Sequence, residues 1–172
     1  IVEREKVEEK LLTHQILDSK GKEESAQRLL SIVENAPFPI GVYEGEDLII
    51  TVANQSIMDV WGKGNNVVGK SYRAILPELE NQKIFDQVYQ VFATGVPFHA
   101  KNQEVDLVID GKLQSFYFNY SLTPLYNTQG EIYGVLNTAG EVTDIHKAKL
   151  KVEESEKRFR DTVQQAPLGI TI

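Results

Sequence analysis

The chain has 172 residues, of which 41% are hydrophobic and 25% charged, with a net charge of −7 and a pI near 5.0. That length and balance fit one globular domain with appendages, and the acidity leaves no basic footprint for nucleic acid. There is no cysteine, which removes disulfides, thiolate nucleophiles, Cys-ligated zinc and cysteinyl-flavin photochemistry, and no run of about 18 apolar residues that would form a membrane span.

Residues Val2 to Leu17 (VEREKVEEKLLTHQIL) are strong helix formers of mixed charge, so a solvated helix is expected. Gly21 is expected to interrupt it before a second helix from Glu23 to Glu34. Leu29, Ile32, Val33 and Ala36 supply an apolar stripe there, and Pro37 and Pro39 end the helix. Ile40 to Tyr43 and Leu48 to Val52 are predicted strands joined by a turn at Glu44 to Asp47. Asn54 then suits the N-cap of a short helix, Gln55 to Trp61. Gly62, Gly64 and Gly69 divide the next stretch into short pieces. In Asn81 to Thr94, residues Ile84, Phe85, Val88, Val91 and Phe92 fall at helical spacing, and Gly95 is the stop.

The last third reads as strands. Val105 to Ile109, Leu113 to Leu125 and Ile132 to Val142 are separated by turns at Asp110-Gly111 and Asn127 to Gly130. Alternation puts Phe116, Phe118, Tyr120 and Leu122 on one face of the middle strand. Tyr133, Val135, Asn137 and Ala139 share a face of the final one. The expected class is α+β, a five-stranded antiparallel sheet with one face buried under helices.

The chain also repeats itself. SAQRLLSIVENAPFPIGV from Ser25 and SEKRFRDTVQQAPLGITI from Ser155 share Ser, Arg, Val and Ala-Pro at matching places, 130 residues apart. Solenoid repeats run roughly 20–50 residues, so this spacing suits one whole domain.

With ENAPFPIGVYEGEDLIITVANQSIMDVWG, Gly69-Lys70 before Pro77, FATGVPF, PLYNTQGEIYGV and the closing Glu141-Val142-Thr143, the order of elements resembles the PAS family of sensory domains. The likeness covers about Ser25 to Thr143 and is nearest to PAS modules of bacterial, multi-PAS sensor histidine kinases. Many PAS domains close on Asp-x-Thr, and Glu141 departs from that Asp while keeping its charge. The resemblance implies a helical linker from a preceding domain over 1–24 and the PAS domain itself over 25–143. A signalling linker would follow over 144–157, and the start of a second PAS domain over 158–172. It also implies a cytoplasmic, non-catalytic module in two-component signalling, with neighbouring PAS and kinase domains as partners. The kinase activity, ATP-dependent phosphotransfer to histidine, would belong to the full-length protein.

His14 and His146 fall on predicted linker helices and His99 at the start of a strand, so no metal-ligand spacing arises. The long helix has no histidine of the kind that haem-binding PAS domains use, so neither haem nor cysteinyl-flavin is expected, nor any other cofactor. No carboxylate pair sits on an apolar strand face to act as acid and base. Phe118, Tyr120, Leu122, Val135 and Asn137, with Trp61 at one end of the short-helix region, form either a filled core or a small pocket. In the second case Asn137 and Tyr120 would offer hydrogen bonds to a small-molecule ligand. Glu141, Thr143 and Asp144 are the expected signal junction, with Thr143 as N-cap of the exit helix. Ile145, Ala148, Val152, Ser155, Phe159 and Thr162 recur at 3, 4 spacing. That seam fits either a helix folded back on its domain or a homodimeric coiled coil. No nucleic-acid or membrane contact is expected of this segment.

Overall fold

In the computed structural model, which describes residues 1–166, the first helix does not break at Gly21. α1 runs without interruption over Val2–Glu34 and buries no residue. A glycine inside a helix costs only about 1 kcal/mol relative to alanine. Here strong helix formers flank it, and an Asp18–Lys22 ion pair of 3.5 Å spans it. The expected apolar stripe at Leu29 and Ile32 stays exposed, with only Val33 and Ala36 half-buried near the sheet.

The strands are β1 (Ile40–Glu44), β2 (Ile49–Ala53), β3 (Phe98–Ile109), β4 (Lys112–Tyr126) and β5 (Ile132–Glu141). They form one antiparallel sheet in the order β2-β1-β5-β4-β3. Between β2 and β3 lie α2 (Gln55–Trp61), α3 (Tyr72–Ile75), a 3₁₀ turn (Pro77–Leu79) and α4 (Ile84–Thr94). One core joins these helices to the inner face of the sheet through Tyr43, Ile57, Trp61, Tyr72, Val88 and Leu122. The fold class is the one the sequence predicts. Among the described residues no helix is long and apolar enough to cross a membrane.

Two boundaries differ from expectation. α4 begins at Ile84 rather than Asn81, because Gln82 is drawn to the edge of β3. Its side chain accepts from Asp106 N and donates to Asp106 O, both at 2.8 Å. β3 begins at Phe98 rather than Val105, since a bulge between Ala100 and Gln103, with Asn102 at φ 49°, breaks the alternation that would reveal it.

The next outward backbone groups of β3, at Val108, are also covered by side chains. Val108 N donates to Glu78 Oε1 at 3.0 Å, Lys63 Nζ donates to Val108 O at 3.0 Å, and Lys63 pairs with Glu78 at 2.7 Å. Three side chains thus stand in for a sixth strand. At the opposite edge, β2 is covered by backbone: Ile50 N bonds Lys70 O, Gly69 N bonds Ile50 O, and Tyr72 N bonds Leu48 O. Covered edges resist pairing with another chain.

Candidate functional site

The inner face of the sheet meets α2, α3, the 3₁₀ turn and α4 around a cavity of about 50 Å³. Trp61, Phe118, Tyr120, Leu122 and Asn137 line it, as expected, while Val135 is fully buried beside it without reaching the lining. The alternation of β4 and β5 brings those residues together, with Leu122 opposite Asn137 and Tyr120 opposite Ala139. Ile57, Tyr72, Leu79, Ile84, Val105 and Leu107 complete the wall from elements whose approach is tertiary.

The polar end of the cavity is a tyrosine pair with an amide. Tyr43 and Tyr72 stack with ring centroids 4.1 Å apart and planes within 9°. Asn137 Nδ2 donates to the Tyr43 hydroxyl at 3.0 Å. Asn137 is only 8% exposed, and its Oδ1 is buried with no partner. Tyr120 donates its hydroxyl to Gln87 on α4. Burial pushes Tyr43 up to about 12, although the bond from Asn137 and the adjacent Tyr72 hydroxyl oppose the rise. Tyr120 likewise rises to about 12 by burial, opposed by Gln87. Burial first, then the neighbouring Tyr43 and Tyr120, raise Tyr72 well above its ordinary value. All three rings therefore stay neutral, suited to hydrogen bonding and not to proton transfer at neutral pH. Tyr43 and Tyr72 escaped sequence reasoning. The signal for Tyr43 was its place two residues after Gly41 on β1, on the inner face; Tyr72 lies in a four-residue helix with no periodicity to read.

The exit junction is built differently from the N-cap expected. α5 (Thr143–Gln165) takes Val142 as its N-cap residue, with no side-chain cap. Thr143 instead lies inside the helix, because its hydroxyl is held by the sheet. It accepts from Tyr117 N at 3.0 Å and donates to Glu141 Oε1 at 2.9 Å. Val142 N donates to Tyr117 O at 2.7 Å, so both backbone groups of Tyr117 on β4 are bonded by the residues that start α5. His146, one turn on, packs its ring against Tyr117 with centroids 4.1 Å apart. Asp144 is exposed in the first turn. Beyond that turn α5 buries nothing, so it is not folded back on its own domain. Ile145, Ala148, Val152 and Phe159 all face solvent, Ile145 and Phe159 at 72% and 71% exposure.

The family profile described as PAS fold matches residues 33–147. The chain belongs to the PAS family. Among solved structures it is similar to an RNA-binding light-oxygen-voltage receptor, with 16% identity, a TM-score of 0.61 and coverage of 79% of this chain and 38% of that one. A PAS domain from Colwellia psychrerythraea has 13% identity and a TM-score of 0.54, over 69% of this chain and 98% of its own. VqmA bound to DPO has 17% identity and a TM-score of 0.54, over 67% and 57%. At these identities the likeness is one of fold. The chain spans well under half of the first of these proteins and nearly all of the second. As a member of this family the chain has the fold of PAS sensory domains. Among the lining residues of its cavity the ionisable groups are Tyr72 and Tyr120.

Proposed function

We propose that this PAS domain is a cytoplasmic signal-relay module of a multidomain sensor histidine kinase, passing changes in its sheet to α5. The observation that carries the proposal is the junction: Thr143 and Val142 tie the first turn of α5 to Tyr117 on β4 with no flexible spacer. A shift between β4 and β5 then tilts the helix directly. The 130-residue repeat of the helix-to-Ala-Pro segment supports an array of such domains, as in the kinases this sequence resembles, with phosphotransfer carried out elsewhere in the protein. The exposed seam of Ile145, Ala148, Val152 and Phe159 supports a homodimer through α5, since apolar a/d positions gain by pairing with a second copy. In sedimentation the chain is expected to dimerise, and Val152→Glu with Phe159→Glu to weaken the dimer at least about tenfold. A monomer before and after substitution would contradict the dimer relay.

A second reading, a sensor that binds a small molecule in the core, is favoured by one observation. Asn137 keeps an unpartnered buried oxygen at the cavity wall, and such an atom costs about 1–3 kcal/mol unless something bonds to it.

A further inference from the structure

We infer that the cavity takes a compact neutral ligand with an apolar body and one hydrogen-bond donor, received by Asn137 Oδ1. The inference rests on the sensor reading above and adds the chemistry of the ligand to it. Asn137 lies opposite Gly41 on β1 and Leu122 on β4. Gly41 leaves the approach open: a Cβ there would stand 3.0 Å from Ile57 Cδ1 and 3.3 Å from the Tyr43 hydroxyl. The amide can therefore reach Tyr43, and its nitrogen does. Its oxygen, buried in a residue 92% removed from solvent, is left over.

Asn137 Nδ2 is bonded to Tyr43 and the Tyr120 hydroxyl to Gln87, and among the described residues Asn137 Oδ1 is the one buried side-chain polar atom left without a partner. What this end of the cavity still offers is an acceptor, so its complement is a donor. The rest of the wall is apolar, with Ile57, Leu79, Val105, Leu107 and Leu122. No Asp, Glu, Lys, Arg or His lines it, so a charged ligand would be buried unpaired, at a large penalty. Size narrows the class further. A volume of about 50 Å³ exceeds the roughly 10–15 Å³ that holds one water and falls short of the roughly 150 Å³ that admits benzene. Roughly two to four non-hydrogen atoms fit without repacking.

2-Propanol and acetone match in size and shape and differ in the O–H. Titrating each into the 172-residue chain, with NMR of the Asn137 side-chain amide and the Leu79 and Val105 methyls, tests the assignment. The alcohol is expected to bind about tenfold more tightly than the ketone, the difference one buried hydrogen bond makes. Asn137→Ala removes the preference, and Leu79→Phe, which adds bulk at the cavity wall, weakens both compounds. If Asn137→Ala does not fold, the two titrations of the unaltered chain decide alone. Equal affinities, or tighter binding of acetone, overturn the donor class while leaving a binding cavity. No saturable shift with either compound overturns the inference together with the sensor reading.

Discussion

Asn54 carries more than the helix cap its sequence position suggests. It is fully buried, and both ends of its amide are saturated. Oδ1 accepts from Ile40 N at 2.9 Å and from Ile57 N at 3.0 Å, while Nδ2 donates to Phe38 O at 2.9 Å and Val33 O at 3.1 Å. One side chain therefore joins the end of α1, the start of β1 and the start of α2. Only the bond to Ile57 is implied by an asparagine before a helix; the others join residues 14 to 21 positions away, beyond any local pattern. Asn54→Ala leaves these groups without partners and is expected to cost about 3 kcal/mol. Asn54→Asp, which retains the cap oxygen but turns an acceptor toward two carbonyls, should be no better. Urea denaturation measures both, and a loss below about 1 kcal/mol for alanine would contradict the account.

At the scale of elements, legibility follows burial pattern. Inward residues recur at every second position in the middle of β4, so Phe118, Tyr120 and Leu122, with Asn137 on β5, are readable from period, whereas the wall supplied by the helices and β3 is not. The bulge in β3 shifts its period and hides the half before Val105, and α4 is shorter than its apolar spacing suggests because Gln82 belongs to the β3 edge. The clamp of Glu78, Lys63 and Gln82 on that edge was invisible for a different reason: its partners lie 24 to 45 residues apart and are polar. Burial opposes ionisation of Glu78, but the bonds from Lys63 and Val108 outweigh it and hold the carboxyl below its ordinary value. A lowered folded pKa means stability that is present above the unfolded value, about 4.3, and lost as pH falls through the folded one. Lys63→Met is expected to cost about 2 kcal/mol at pH 7, because Glu78 would stay buried without its cation. The variant should also lose less than the parent on acidification to pH 3. Coincident pH profiles of the urea midpoint would show that the clamp contributes nothing, and parallel but displaced ones that Glu78 is not held by Lys63.

Across the whole molecule, both edges of the sheet are partly covered and the exit helix leaves from the middle. β5 is the central strand, paired with β1 on one side and β4 on the other, so displacement in either half of the sheet reaches it. Asn137, at the cavity, and Glu141, at the junction, lie on that same strand. The relay stands or falls on the last link, where the Thr143 hydroxyl joins α5 to Tyr117. Thr143→Val keeps the shape and removes the hydroxyl, which should cost about 1 kcal/mol. Amide hydrogen exchange of this variant tests the link most directly. The account predicts that Tyr117 and the first turn of α5, from Asp144 to Lys147, lose protection together while Val135 in the core keeps its own. Exchange that rises at Tyr117 alone, with the first turn of α5 unchanged, would contradict it.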